Sequence, residues 1–189
     1  MKMKICRTSI PIVGIVLVFC AYTLASGADT YPEHEVKAAF LYNFIKFADW
    51  PEEKVKDANQ PMIIFVVGSY PECKTFKDIQ SKGSVQVRMF KSFDQISDPN
   101  ILKDCHVLFV SSSEKKDITR ILNVVKDYPV LTVGEDDSFL DAGGIINFVE
   151  YEEKIRFEIN LPAATRADIK LRSKLLKLAR RVVTEEGEG

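Results

Sequence analysis

The sequence is poor in the residues that carry most metal and enzyme chemistry. Its 189 residues include only two histidines, one tryptophan and four cysteines. Beyond the N-terminal segment the cysteines are Cys73 and Cys105. Neither His34 nor His106 stands at zinc-ligand spacing from both of them, so we predict no zinc site. The sequence also lacks a dinucleotide glycine fingerprint, a phosphate-binding loop with its lysine and a metalloprotease helix motif. We therefore predict neither a metal nor a cofactor.

The N-terminus has the pattern of an export leader. Lys2, Lys4 and Arg7 form a positive segment, residues 10–24 are apolar, and small residues follow. An apolar run of this length is short for a membrane-spanning helix, which needs roughly 20 residues. We predict a cleaved signal peptide at residues 1–28 and a periplasmic mature chain. A retained anchor and a lipoprotein are the alternatives.

Removal of the leader changes the charge and the cysteine count. The mature chain keeps 23 Lys and Arg against 27 Asp and Glu, a net charge of −4, which argues against nucleic-acid binding. Cys6 and Cys20 leave with the leader, so Cys73 and Cys105 are the remaining pair. In an oxidising compartment such a pair favours one disulfide, worth about 3–4 kcal/mol by loop closure. Two free thiols or a redox pair are the other interpretations.

Short apolar runs alternate with helical patterns along the mature chain, which predicts a single α/β domain at residues 29–184. Its sheet is expected to be mostly parallel with helices on both faces, in Rossmann-like layering. A C-terminal β-hairpin, a closing helix and a frayed acidic tail at residues 185–189 complete the prediction. The predicted strands are 62–67, 85–90, 106–110, 130–133, 145–149 and 154–159, and the predicted longer helices are 33–47, one from the serines at 111–113 to residue 126, and 173–183.

The first helix is apolar on more than one side. Phe40, Phe44 and Phe47 lie on one stripe, and Trp50 follows at the helix end. Such a helix is usually buried on both sides, either under its own domain or against another protein. These four aromatic residues are therefore candidates for a partner or dimer surface, with core packing as the alternative.

Two further groups of residues are candidates for ligand contacts. Strand ends in doubly wound folds line a crevice, which here would contain Gly68, Ser69, Ser111 and Ser112. The serines also suit capping and turn roles, and no histidine stands near them in a recognisable catalytic pattern. The last fifth of the chain is rich in cations. Most of these belong to the wet side of the closing helix, but Arg166 and Arg172 precede it and are candidate anion contacts.

Five segments together resemble the YfiR/HmsC-type periplasmic proteins. The matching runs are VKAAFLYNFIKFADWP at residues 36–51, CHVLFVSSSE at 105–114, DAGGIINFV at 141–149, FEIN at 157–160 and SKLLKLA at 173–179. They cover essentially the whole mature chain in order, which makes them specific as a set.

The resemblance implies a periplasmic regulator that is not an enzyme. Members of the family typically repress an inner-membrane diguanylate cyclase by binding its periplasmic sensor portion. Cys105 falls on the family's cysteine before the buried strand, and Cys73 stands where its usual partner would. No cysteine flanks the glycine-pair hairpin, so a second disulfide is not expected here. The expected partner is therefore such a cyclase, with a homodimer also considered and no membrane insertion of the mature chain. The alternative function is a periplasmic small-ligand binding protein that uses the strand-end crevice.

Overall fold

In the computed structural model of the protein, the described residues are 31–55, 60–184 and the backbone of 187–188. The predicted leader at residues 1–28 lies outside them, as do residues 185, 186 and 189 of the predicted tail. From Tyr31 onwards the chain forms one compact unit. No helix in the part of the chain that is described is long and apolar enough to cross a membrane.

Helices and strands alternate along the described chain, as the sequence predicts. The elements are α1 (Glu33–Phe47), β1 (Ala48–Asp49), β2 (Met62–Val67), α2 (Lys74–Ser81), β3 (Val85–Phe90), β4 (Val107–Val110), α3 (Ile118–Val125), β5 (Leu131–Gly134), β6 (Ile146–Tyr151), β7 (Lys154–Asn160), α4 (Leu161–Arg166), β8 (Lys170–Leu171), α5 (Ser173–Leu176), β9 (Arg181–Thr184) and β10 (Gly187–Glu188). Short 3-10 helices occupy Phe93–Gln95, Pro99–Asp104 and Ser112–Glu114.

The main sheet has the strand order β10-β9-β7-β6-β5-β4-β2-β3. The strands from β3 to β6 pair in parallel, β7 is antiparallel to β6, and β9 is parallel to β7. A separate two-stranded sheet joins β1 to β8. Because the chain leaves β2 first toward β3 and later toward β4, the sheet reverses its winding between β2 and β4. The predicted mostly parallel α/β fold is confirmed.

Two hydrophobic layers enclose the sheet. Strand β2 sends Ile64 and Val66 into the layer that contains α1 and α2, and Phe65 and Val67 into the layer that contains α3. Strand β4 alternates in the same way, as expected for a strand buried on both faces. Helices therefore cover both faces of the sheet, as predicted.

The C-terminal hairpin is also confirmed. Strands β6 and β7 pair from Ile146↔Ile159 to Tyr151↔Lys154, which leaves Glu152 and Glu153 as a two-residue loop. Both loop residues have positive φ angles, 50° and 57°. This is the type I′ geometry that matches the twist of an antiparallel pair.

The predicted closing helix at residues 173–183 is wrong in its second half. Only Ser173–Leu176 is helical, and Arg181–Thr184 is a strand parallel to β7. The β-branched Val182 and Val183 suit this extended backbone. The Arg180 N–H donates to the Phe157 carbonyl at 2.8 Å, which starts the pairing. Pairing of this segment with the edge of β7 is thus more favourable than continuing the helix that the sequence pattern predicts.

Candidate functional site

The predicted strand-end crevice residues do come together where the sheet reverses its winding. The Ser111 hydroxyl donates to the Ser69 carbonyl at 2.9 Å, and the Ser69 N–H donates to Ser113 Oγ at 2.8 Å. Gly68 has a φ of 105°, and a Cβ at this position would lie 2.5 Å from Ser113 Oγ. The two strand ends are therefore packed against each other through a glycine, with no room for a side chain between them.

The Glu135 carboxylate accepts hydrogen bonds from the polar groups of this crevice. Glu135 Oε1 accepts from the Ser112 N–H at 2.8 Å and contacts the Ser111 hydroxyl at 3.2 Å. Glu135 Oε2 accepts from Lys37 Nζ at 2.5 Å, and Lys37 also pairs with Glu33. Lys37 comes from α1, so the crevice contains an ion pair that joins this helix to the end of β5. A small ligand would have to displace Glu135 to bind there.

The electrostatics keep both partners of this pair charged. Burial lowers the pKa of Lys37, but its hydrogen bonds to Glu135 and Glu33 outweigh burial, and the pKa is raised. Burial raises the pKa of Glu135, but the hydrogen bonds from Lys37 and from the Ser112 N–H outweigh it, and the pKa is lowered. A buried pair of this kind is costly to break from one side only.

Sequence reasoning missed both members of this ion pair. Lys37 looks like an ordinary polar residue of an amphipathic helix, yet it is only 8% exposed. Glu135 follows Gly134 at the carboxyl end of the buried strand β5. Its place after a parallel strand was the one available signal, because strand ends of a parallel sheet meet at one edge.

The aromatic residues of α1 mostly pack inside the domain. Phe44 is fully buried, and its ring centroid lies 5.1 Å from that of Phe157 and 5.8 Å from that of Phe148. Phe40 joins the same cluster, 5.6 Å from Phe157. Phe44 therefore does not belong to a partner surface, because α1 lies with this stripe against the sheet.

Phe44 is the only one of the four that is buried, and the other three are half-buried. Phe47 is the last residue of α1, Trp50 follows β1, and both pack against the same core layer as Phe40. The Trp50 ring contacts His106 edge-on, with 5.9 Å between the ring centroids. These two residues remain candidates for a contact with a partner.

The two candidate anion contacts have different surroundings. The Arg172 guanidinium binds the Asp49 carboxylate through two nitrogens, with Nε–Oδ1 at 3.1 Å and Nη2–Oδ1 at 2.5 Å. Arg166 is exposed and lines a cavity of about 170 Å³ between α3 and α4. The structure thus pairs Arg172 with a carboxylate of the same chain at the surface and does not place it in the cavity that Arg166 lines.

The predicted disulfide between Cys73 and Cys105 is absent from the structure. Both cysteines are buried free thiols, Cys73 in the α1 and α2 layer and Cys105 in the α3 layer. The Cys73 thiol donates to Glu35 Oε2 at 3.2 Å, and the Cys105 thiol to the Leu102 carbonyl at 3.1 Å. The sheet lies between the two layers, so it separates the two sulfur atoms. Counting cysteines in the sequence does not reveal that separation.

Within the described residues, no group of three or more His, Cys, Asp or Glu side chains is placed to hold a metal ion.

Comparison with known proteins identifies the family. A family model described as YfiR/HmsC-like matches residues 34–180. The chain belongs to the YfiR/HmsC-like family. The match runs from the start of α1 to the residue before β9, so the resemblance of the five sequence segments is confirmed. Family membership fits a periplasmic regulator.

Solved structures of similar fold include two bacterial domains. One is the ABC domain in complex with L-Trp from Streptococcus pneumonia, with a TM-score of 0.50 and 14% identity over 69% of this chain and 58% of the other. The second is a conserved domain protein from Vibrio cholerae, with a TM-score of 0.53 and 11% identity over 79% and 60%. This chain thus spans about three-fifths of the length of either match. At such identities the likeness shows the fold alone.

Proposed function

We propose that this chain is a periplasmic negative regulator that binds the periplasmic sensor portion of an inner-membrane diguanylate cyclase and represses cyclic-di-GMP synthesis. The family match over residues 34–180 carries this proposal, because it spans nearly all of the described α/β unit. The export pattern of residues 1–28 supports a periplasmic location.

Repression in this proposal works by occupancy. The regulator must bind the inactive arrangement of the sensor more tightly than the active one, because equal affinity for both shifts no equilibrium. Release of the regulator then lets cyclic-di-GMP rise and favours surface attachment. The regulator itself needs only a stable binding surface, which a rigid domain with two packed core layers provides.

The contacts of the serines and of His106 support a role without catalysis. Ser69, Ser111 and Ser113 bond to backbone groups, to each other and to acidic side chains, as turn and capping residues do. His106 Nδ1 accepts from the Ile63 N–H at 3.0 Å, which uses the ring nitrogen that would otherwise act as a base. None of these hydrogen bonds joins one of the serine hydroxyls to the His106 ring.

The direct test measures cyclic-di-GMP in cells that lack this chain. We expect the nucleotide level to rise, and to return to normal when the full chain is supplied but not when residues 29–189 are supplied without the leader. The first receptor to test is any diguanylate cyclase with a periplasmic segment that proves to be encoded beside the gene for this chain. An unchanged nucleotide level in the deletion strain, with that cyclase present and active, would refute the proposal.

A further inference from the structure

The cavity that Arg166 lines lies at the end of the sheet where the parallel strands begin. It has a volume of about 170 Å³ and is bounded by the C-terminal halves of α3 and α4 and by the residues at the start of β5 and β6. Glu135 and the strand-end crevice lie at the opposite end of β5. The cavity is therefore a separate place on the domain.

Strands β5 and β6 separate where the cavity lies. Their backbones pair over only two residues of each strand, beginning at Val133↔Ile146. One residue earlier on each strand, the Ile145 N–H donates to the Thr132 hydroxyl oxygen at 3.0 Å, and not to a backbone carbonyl. Thr132 and Ile145 both line the cavity. A side chain thus replaces one step of the strand pairing, and the space beyond it lies between the two helices.

The Thr132 hydroxyl brings a buried hydrogen-bond donor to this space. The residue is only 4% exposed. Its oxygen accepts from the Ile145 N–H, but in the part of the chain that the structure describes its hydroxyl hydrogen has no acceptor. Buried polar groups are ordinarily satisfied, and a hydroxyl hydrogen rotates toward the acceptor that it finds. An acceptor atom inside the cavity would satisfy this one.

The charged residues that line the cavity are both cations. Lys126 and Arg166 line it and are exposed, so they border its opening. Among the described lining residues there is no Asp or Glu. Within the same described ranges, no carboxylate oxygen lies within 4 Å of the Lys126 ammonium or of the Arg166 guanidinium. Two cations without a carboxylate partner at one opening favour an anionic ligand.

Helix dipoles explain only part of this arrangement. Lys126 follows the last residue of α3, and Arg166 is the last residue of α4, so each cation also stands at a helix C-terminus. Positive charge is favourable there, but the effect acts within the last turn of each helix. It does not require that both cations border one cavity together with a buried hydroxyl.

The interior of the cavity is apolar. Buried side chains from both core layers line it, namely Leu122, Val125 and Val130 from the α3 layer and Ile145 and Ala163 from the α1 layer. A dry apolar cavity of about 150 Å³ is large enough to bind benzene. This cavity therefore accepts an apolar body of about four to six carbon atoms. Nucleotides, long acyl chains and peptides are too large for it.

We propose that this cavity binds a small aliphatic monocarboxylate. The carboxylate binds Lys126 and Arg166 at the opening, the hydrocarbon body fills the apolar interior, and the Thr132 hydroxyl is a third donor within the same cavity. An ammonium group beside the carboxylate would meet two cations, so the ligand is a simple acid and not an amino acid. The inference goes beyond the proposed function and does not depend on it, because it concerns this chain alone.

The test titrates the purified protein with 4-methylpentanoate. Calorimetry gives the affinity, and the backbone amide shifts in NMR spectra give the location. We expect a dissociation constant of about 0.1–1 mM, as suits a ligand of so few atoms, with the largest shifts at Ile145 and Ala163. Three compounds are matched controls. The neutral 4-methylpentanamide lacks the charge, leucine adds an ammonium group, and acetate lacks the apolar body. Each should bind about tenfold or more weakly.

A pair of double variants tests the two cations. Lys126→Gln combined with Arg166→Gln should weaken the binding of 4-methylpentanoate about tenfold or more and leave the binding of the neutral amide unchanged. The control combines Lys116→Gln with Arg156→Gln, at exposed cations that do not line the cavity. It has the same net charge as the first variant and should bind 4-methylpentanoate like the unmodified protein.

Three results would overturn the inference. The first is no binding of 4-methylpentanoate at about 10 mM, well above the expected dissociation constant. The second is equal affinity for the acid, its amide and leucine, or amide shifts that lie away from the cavity. The third is a Lys126 and Arg166 variant that melts at a lower temperature but binds the acid as tightly as before, which would limit these cations to the helix C-termini. None of the three bears on the proposed function.

Discussion

At the scale of one residue, burial keeps His106 neutral, and the ring then serves as a hydrogen-bond acceptor. The residue lies just before β4 and is 8% exposed. Its Nδ1 accepts from the Ile63 N–H at 3.0 Å, which requires the neutral ring. Burial and the charge of the nearby Lys54 together lower the pKa of His106 to about 4. The imidazole is therefore a structural acceptor that ties the start of β4 to β2.

This pKa predicts a specific pH dependence of stability. The unfolded chain protonates His106 at a pKa of about 6.5 and the folded chain at about 4, so the unfolded state binds more protons between these values. The stability that neutral His106 contributes is complete above pH 6.5 and is lost as the pH falls toward 4. His106→Asn keeps an acceptor near the position of Nδ1 but does not titrate. Urea unfolding at about pH 7 and about pH 5 should show a smaller loss for this variant. An equal loss in both proteins would contradict the assignment.

At the scale of elements, α2 depends on α1 for its N-terminal cap. Cys73 occupies the cap position of α2, and its side chain accepts no hydrogen bond from the helix. Glu35 of α1 supplies the missing acceptor, with the Lys74 N–H at 2.7 Å and the Thr75 N–H at 2.8 Å. Hydrogen bonds from Thr75 lower the pKa of Glu35 to about 2. An acidic side chain at a helix N-terminus is favourable, and here a distant helix provides it.

Strand β9 depends in a similar way on one buried carboxylate. Glu158 of β7 is 5% exposed and pairs with the guanidinium groups of Arg180 and Arg181. We expect Glu158→Gln to lower the free energy of unfolding by about 1–3 kcal/mol, because it removes charge-assisted hydrogen bonds from a buried position. The matched control is Glu150→Gln at the exposed Glu150 of the neighbouring strand β6, which should change little.

Two measurements check the role of Glu158. Urea unfolding gives the stability of the two variants, and hydrogen exchange gives the protection of the β9 amides. Exchange at Val182 should accelerate in Glu158→Gln, since this pairing fixes β9 beside β7. Equal stability and equal protection in the two variants would show that strand pairing alone holds β9.

At the scale of the whole molecule, the sheet keeps the two thiols apart. Burial is the main cause that raises the pKa of Cys73 to about 11 and that of Cys105 to about 12. A thiol with so high a pKa has little thiolate at neutral pH and reacts slowly. The two core layers therefore separate the sulfur atoms and also suppress their reactivity.

We therefore predict that Cys73 and Cys105, the two cysteines of the mature chain at residues 29–189, are both free thiols in the folded protein. The intact mass measured without reductant should be that of the dithiol form, and the melting temperature should not change when a reductant is added. Maleimide should modify both thiols slowly in the native protein and rapidly in concentrated urea. A mass lower by the two thiol hydrogens, with a melting temperature that falls on reduction, would contradict this prediction.

Local sequence patterns were sufficient for most individual elements. The bounds predicted for α1, β2 and β3 agree with the structure, because each segment has a clear period or an uninterrupted apolar run. The two-sided cover of the sheet also follows from the sequence, since continuous apolar strands require burial on both faces. The closing helix is the exception, because its helical spacing also contains the β-branched residues of β9.

By itself, the sequence determined the alternation of strands and helices, the α/β layering and the resemblance to the family, all of which are written in short runs of residues. Only the tertiary structure decided that Glu135 and Lys37 fill the strand-end crevice, that Phe44 is buried, and that Cys73 and Cys105 lie on opposite faces. The physical reason is separation along the chain. Local periodicity fixes which face of its own element a side chain occupies, but its partner on a distant element is fixed only when the sheet is assembled.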